Sequence, residues 1–360
     1  MSPVPLRVLA DSAARRPSLP AQAAPHPPSP LPGAGEGEFD RDMRIALAER
    51  PHRISPKYFY DAAGSYLFDR ICELPEYYPT RTELAILGEH AGAMALRMAP
   101  HAELVEFGAG SLQKAGLLLR AMRAPARFVP IDISGAHLQA AADALQRSLA
   151  AEQPQLRITP VVADYTADLP QPLPGHGPRY GFFPGSTIGN LMPDEAVRFL
   201  RRAAAHLRGG ALLLGADLIK DPARLHAAYN DAAGVTAAFS RNVLVRANRE
   251  LGADFAPDRY AHSAFYNAPL RRIEMHLLAT RREQVRIGDR VYTLEEGETL
   301  HTENSYKFTI EGVHALARQA GLLPGPYWTD AQRQFAVFWL DAPDETVPDS
   351  EAPPGHIHRL

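Results

Sequence analysis

Two short apolar runs, separated by about one helix of chain, constrain this sequence more than any other feature. Leu104-Val105-Glu106-Phe107 runs straight into Gly108-Ala109-Gly110-Ser111, and Phe128-Val129-Pro130-Ile131 ends in Asp132-Ile133-Ser134. Each reads as a buried strand delivered to a turn. The missing side chains at the first turn let backbone approach a ligand, and the helix that follows offers free N–H donors at its start. Asp132 stands 22 residues after Gly110, where a doubly wound fold places the carboxylate that accepts both ribose hydroxyls. A dinucleotide fingerprint requires a third glycine at position 113, but Gln113 stands there and Lys114 follows. That departure disfavours a pyrophosphate ligand and leaves two readings open: an adenosine cofactor without phosphates, or a plain tight turn.

Around this pair the hydrophobic pattern alternates between strand and helix periods, which predicts a mainly parallel sheet flanked by helices. Strands are expected at 104–107, 128–132, 157–163, 180–184 and 211–217, with helices at 81–98, 113–122, 135–151 and 193–207. The rhythm then changes. Residues 222–249 read as one or two helices, and 272–280, 284–287 and 291–294 as antiparallel strands with short turns. A helix at 310–320 and an apolar strand at 335–341 return to the sheet. The expected fold class is α/β, with a Rossmann-like sheet formed by 81–219 and 308–342. A second, smaller α+β domain is expected from the N-terminal segment 39–80 and an insertion at 220–307. Residues 1–38, rich in Pro and Ala, and the acidic, proline-containing segment 343–360 read as disordered tails.

Composition narrows the function classes. The 360 residues are 46% hydrophobic and 22% charged, which suits an enzyme-sized globular chain. A net charge of −3 supplies no basic field for nucleic acid or an anionic membrane. The single cysteine, Cys72, excludes an intrachain disulfide and a multi-thiolate metal site. No run approaches the roughly 18 apolar residues of a membrane helix. A cytoplasmic monomer acting on a small molecule is the expectation. The 14 histidines show no HExxH or comparable spacing, so no metal is expected.

Four segments are candidates for the chemistry. Asp164-Tyr165, just past the third strand, suits an adenine amino group and its ring, or else a helix cap and a core tyrosine. Phe182-Phe183-Pro184-Gly185-Ser186-Thr187-Ile188-Gly189-Asn190 ends the fourth strand, where open α/β sheets bind ligands; Asn190 can orient a substrate amine or cap a turn. Tyr58-Phe59-Tyr60-Asp61 through Phe68, with Leu74-Pro75-Glu76-Tyr77-Tyr78-Pro79-Thr80-Arg81-Thr82-Glu83, holds five tyrosines that serve either as core or as a flat wall with polar tips. The polar run His301-Thr302-Glu303-Asn304-Ser305-Tyr306-Lys307 is either a solvated loop or a recognition element.

Taken together, Tyr60-Asp61, Glu76 through Arg81, the Glu106 to Gly110 turn, Gly185 through Asn190, Tyr229-Asn230-Asp231-Ala232-Ala233-Gly234-Val235-Thr236 and Thr302-Glu303-Asn304-Ser305 resemble the L-histidine Nα-methyltransferases of ergothioneine biosynthesis. The resemblance spans roughly residues 40–342 and is most specific at Tyr77-Tyr78-Pro79-Thr80-Arg81 and Thr187-Ile188-Gly189-Asn190; the glycine turn marks only the broad class I methyltransferases. It implies S-adenosylmethionine as cofactor, L-histidine as substrate, and transfer of three methyl groups to give hercynine. It further implies that Asn190 and Tyr229, with Tyr60 nearby, hold the amino-acid carboxylate and amine. Tyr77 would contact the imidazole, and Glu303 with Ser305 would bond its ring nitrogens. Phe68, Gly185, Thr187 and Met275 would wall the pocket, and Gly108, Gly110, Lys114, Asp132, Asp164 and Tyr165 would hold the cofactor. Mild departures are Ser186, where the family often has glycine, and Tyr165, where it has phenylalanine. The rival readings are a methyltransferase of the same build acting on another amino acid such as tryptophan, one acting on protein or RNA, and a non-catalytic binding protein.

Overall fold

The computed structural model describes residues 36–169, 173–207 and 209–344. In chain order, α1 (Glu36–Ala48), α2 (Ala62–Glu73) and α3 (Tyr78–Ala95) precede β1 (Glu103–Phe107), α4 (Gln113–Ala121), β2 (Arg127–Asp132) and α5 (Gly135–Leu149). Two short strands follow, β3 (Arg157–Ile158) and β4 (Val161–Val162), then β5 (Arg179–Phe183), α6 (Pro193–His206) and β6 (Gly210–Asp217). Helices α7 (Pro222–Tyr229) and α8 (Val235–Leu251) lead into β7 (Tyr260–Asn267), β8 (Arg272–Ala279), β9 (Glu283–Ile287), β10 (Arg290–Leu294) and β11 (Thr299–Tyr306). The chain closes with α9 (Ile310–Gln319), β12 (Leu323–Thr329) and β13 (Phe335–Ala342).

The main sheet runs β12-β13-β6-β5-β1-β2-β3, with β4 also on β2. Strands β3, β2, β1, β5 and β6 are parallel; β13 is antiparallel to β6, and β12 to β13. Strand order reverses at β1, between β2 and β5, so a crevice opens beyond the carboxyl ends of these strands. This order, with one inserted antiparallel strand beside the last parallel one, makes the sheet Rossmann-like. Its central strands are buried on both faces, which explains their continuous apolar runs.

A three-stranded antiparallel sheet, β11-β8-β7, and the hairpin β9-β10 stand apart from it. The apolar side chains fall into three clusters. One joins Phe39 through Tyr78 to Leu225 through Leu300, and the other two cover the two faces of the main sheet.

Helix α2 and strands β7 and β12 have no counterpart among the expected elements, and four further elements differ from expectation. The expected strand 157–163 is split into β3 and β4 around Pro160, which has no N–H to give a ladder. Helix α3 starts at Tyr78 rather than Arg81, because Pro79 in the first turn would lack an intrahelical partner anyway. The run 301–307 belongs largely to a strand, β11, instead of a loop. Helix α1 begins at Glu36, inside the expected tail, with Glu38 in its first turn where the helix dipole favours an acid. The remainder of that expected tail, 1–35, and residues 345–360 of the other lie outside the described residues. Among the described residues no helix is long and apolar enough to cross a membrane.

Candidate active site

The turns after β1, β2 and β5 converge with the α2–α3 segment, α7 and β11 on one cavity of about 930 Å³, within the range of sites that enclose small molecules. All of the residues singled out from sequence line it except Met275. Met275 sits opposite Glu303 in the β8–β11 register but is 3% exposed and packed in the apolar cluster.

On the sheet side, Gly108 has φ +70, a left-handed conformation that costs glycine little. A Cβ there would stand 3.1 Å from the Tyr165 ring, so the glycine also lets that ring lie against the turn. Leu112 (φ +61) and Ser186 (φ +57) adopt the same region without being glycine, each just before a helical segment at the cavity. Such strain persists only where surrounding contacts over-determine it. For Ser186 one such contact is visible: its Oγ accepts from the Asp217 N–H at 2.9 Å. Asp132 Oδ1 accepts from the Ser134 N–H at 2.8 Å, and the Ser134 hydroxyl donates to Tyr60 C=O at 2.7 Å, tying the cofactor-side turn to the aromatic segment. Asp164 accepts from Thr166 and from Lys57 Nζ at 3.2 Å. Lys114 pairs with the fully buried Glu83 at 2.7 Å, and Glu83 also accepts from the Gly185 N–H at 2.8 Å. Burial pushes the Glu106 carboxyl up to about 8 despite Lys114 nearby, and its Oε2 has no partner among the described residues.

These features fit an adenosine-bearing sulfonium amino acid. Asp132 offers a carboxylate and Tyr165 a flat ring on the same side of the cavity. The orphaned Glu106 oxygen and the Lys114 ammonium suit the two charges of the methionine end, and nothing stands within 4 Å of where a Cβ on Gly110 would project.

On the opposite side, edge-on ring contacts link Tyr60 to Phe68 (5.7 Å), Phe68 to Tyr77 (6.3 Å) and Tyr77 to Tyr229 (6.2 Å). Phe239 of α8, absent from the sequence reading, backs Tyr60 at 5.6 Å and Phe68 at 6.0 Å. The Tyr60 segment is locked by Asp61, which caps α2 through the Gly64 N–H at 2.7 Å and accepts from Asn242 at 2.7 Å. The five tyrosines divide: Tyr60 and Tyr77 line the cavity, Tyr58 and Tyr78 are core, and Tyr66 is 60% exposed.

Strand period two puts Glu303 and Ser305 on one face of β11, toward the cavity. Burial raises the Glu303 carboxyl to about 8, partly offset by Lys307. Its carboxylate, the Asn190 amide and the Tyr60 and Tyr77 hydroxyls have no hydrogen-bond partner among the described residues. The Tyr229 and Ser305 hydroxyls meet at 2.7 Å, and both accept from Lys307 Nζ. Lys307, Asp217 and Glu83 were missed from sequence, although Lys307 and Glu83 end the very runs that drew attention.

Nearby, Glu274, His276 and His301 bring ligand-type atoms within 4.8 Å of one another, a cross-strand grouping that linear spacing could not reveal. Arg272 already neutralises Glu274 at 2.7 Å, and the two imidazoles stack at 4.5 Å rather than converge.

A family profile described as histidine-specific methyltransferase, SAM-dependent, matches residues 39–342. A histidine N-alpha-methyltransferase of Mycolicibacterium smegmatis is 45% identical over 82% of this chain and 92% of its own length. The protein of that name from Mycobacterium tuberculosis is 43% identical over 84% of this chain and 95% of its own length. Ergothioneine biosynthesis protein 1 of Neurospora crassa is 29% identical over 77% of this chain, a match confined to 35% of that longer protein. Sheet order, cavity and these matches agree: the chain belongs to the S-adenosylmethionine-dependent, histidine-specific methyltransferase family.

Proposed function

We propose that this protein transfers methyl groups from S-adenosylmethionine to the α-amino nitrogen of L-histidine, three in succession, giving hercynine for ergothioneine biosynthesis. The observation that carries this reading is the set of unpaired polar groups on one cavity wall: the Asn190 amide, the Tyr60 and Tyr77 hydroxyls and the Glu303 carboxyl. Polar groups that line an enclosed cavity and have no protein partner are available to a ligand, so such a set supports a polar ligand at this wall.

Bound cofactor supplies an electrophilic methyl carbon, and the protein's task is to align a free nitrogen lone pair with it. Positioning of this kind lowers a barrier by removing the entropy of encounter. Asn190 and Tyr229, with Tyr60 beside them, hold the amine and carboxylate. Neutral amide and phenol groups suit the amine, since a carboxylate at the nitrogen would favour the unreactive ammonium. In each round the ammonium loses a proton and the freed lone pair forms an N–C bond as the methyl group's bond to sulfur breaks and a neutral thioether departs, so the later rounds have fewer N–H donors. Aromatic faces at Tyr60, Phe68 and Tyr77 accommodate the growing cationic head without requiring those hydrogens. Glu303 and Ser305 address the imidazole nitrogens at the far end.

The cluster joining residues 39–78 to 225–300 supports a substrate-binding unit of 39–80 and 220–307 beside a cofactor unit of 81–219 and 308–342. A net charge of −3 and a free Cys72 support a cytoplasmic protein working on a small molecule rather than nucleic acid or membrane.

Purified protein incubated with S-adenosylmethionine and a panel of free amino acids that includes histidine and tryptophan tests the reading by product mass. Histidine gaining three methyl groups is the expected result, and a mass increase on tryptophan alone overturns it. In the same assay Asn190→Ala lowers kcat/KM by roughly 10- to 100-fold, the size of a lost positioning contact. An unchanged rate removes Asn190 from the site.

A further inference from the structure

Behind the wall formed by Tyr229 and Ser305 lies a buried charge cluster with no part in the roles above. The Lys307 side chain is fully buried, and Nζ donates to Asp217 Oδ2 at 2.8 Å, Tyr229 Oη at 2.9 Å and Ser305 Oγ at 2.7 Å. An ammonium has three hydrogens, so all are engaged. Asp217 also accepts from Tyr78 Oη at 2.7 Å and pairs with Lys220, which itself donates to Tyr78 Oη at 2.8 Å. One carboxylate therefore faces two lysines; burial lowers Lys220 to about 8, so below that pH both are charged and the cluster holds one positive charge in excess.

The hydroxyl count is equally restrictive. Tyr229 and Ser305 own two hydroxyl hydrogens, one of which is used in their mutual 2.7 Å bond. Both oxygens already accept from Lys307, so the pair has one hydrogen left for the cavity. A carboxylate beside Tyr229 would take it there. Ser305 then donates to Tyr229 and keeps one lone pair facing the cavity.

We infer that Lys307 is a positioning residue that sets specificity: by orienting the Tyr229 and Ser305 hydroxyls and placing excess positive charge behind them, it makes the site select amino acids with a free α-carboxylate. This rests on the reading that the cavity takes a free amino acid. The charge acts through two hydroxyls rather than by direct contact, so the carboxylate gains a charge-assisted bond while no additional cationic donor projects toward the amine.

The test compares L-histidine with L-histidinamide, which keeps the shape and loses the carboxylate charge. Binding is measured by calorimetry and turnover by product mass. Wild type is expected to favour histidine by roughly 10- to 100-fold, the worth of one hydrogen bond to a charged group. Lys307→Met is expected to bring that preference to within about threefold, mainly through KM, since the lost interaction holds the ground state as well as the transition state. Folding should survive, because Asp217 retains Lys220 and Tyr78; matching melting curves check this. Tyr78→Phe removes a hydrogen bond from the same Asp217 without changing charge and should leave the preference intact. A folded Lys307→Met with wild-type preference overturns the inference, as does an equal collapse in Tyr78→Phe. If Lys307→Met does not fold, Lys220→Met, which removes the outer cation, must lower the preference in the same direction, and no change overturns the inference. Wild type that neither binds nor methylates histidine overturns the functional reading instead.

Discussion

Two carboxylates lie on opposite sides of the same wall, and their surroundings could hardly differ more. Asp217, behind it, is fully buried with Lys307 at 2.8 Å and Lys220 beside it, and these cations hold its pKa below the ordinary value against the pull of burial. Glu303, on the cavity side, has no hydrogen-bond partner among the described residues, and burial drives it up to about 8. The first is completed by the protein and the second is left for a ligand. The difference separates a group that serves the fold from one that we propose serves recognition.

The largest expected effect breaks the structural member of the pair. Asp217→Ala leaves two buried ammoniums facing each other, and removal of one partner from a buried ion pair costs about 3–5 kcal/mol. Denaturant unfolding should show a loss of that size. Glu303→Gln, which replaces an unpaired acid by a neutral isostere, should match or exceed wild type in the same measurement. Equal losses in the two variants would end the distinction.

That distinction was only half visible in the sequence. Glu303 was legible because Thr302-Glu303-Asn304-Ser305 forms a recognisable run, and Asn190 and the Gly108 turn were legible because each follows a strongly apolar strand. Asp217 had nothing to mark it beyond its place at the end of β6; one partner, Lys220, is three residues on, but the other two come from 90 residues downstream and from Tyr78 far upstream. The parallel sheet was read well from its continuous apolar runs. Strand β11 was not, because its cavity face carries Glu303 and Ser305 and so lacks hydrophobic alternation. Strand β12 hid behind Pro324, Gly325 and Pro326, which an edge strand tolerates and a central one does not. Polar strands at sites and proline-bearing edges escape a pattern search for the same reason: neither buries an alternating apolar face.

A smaller effect tests the recognition member. Glu303→Ala leaves an imidazole N–H without its acceptor, and rejection through an unpaired buried polar group is worth about 100-fold or more in kcat/KM. Cofactor affinity, measured by calorimetry, should stay within about threefold of wild type. Equal losses for histidine and for S-adenosylmethionine would mean that Glu303 props up the whole cavity instead of selecting the ring.

The smallest effect is a pH dependence whose sign differs between the two acids. Glu303 has a folded pKa raised from 4.5 to about 8, so within that window the folded chain holds a proton that the unfolded chain has released. Stability attributable to this group therefore falls as pH rises from about 5 to 8. Asp217 behaves in the opposite sense: its folded pKa lies below 3.8, so its contribution is fully present above that value and is lost only as pH falls further. Melting temperatures of wild type and Glu303→Gln without ligand isolate the first limb. The variant cannot ionise at 303, so its advantage over wild type should widen steadily between pH 5 and pH 8, over a range in which Asp217 remains charged in both proteins. A difference that stays flat across that interval would show that Glu303 is solvated in the empty cavity, and its contrast with Asp217 would reduce to one of partners without one of burial.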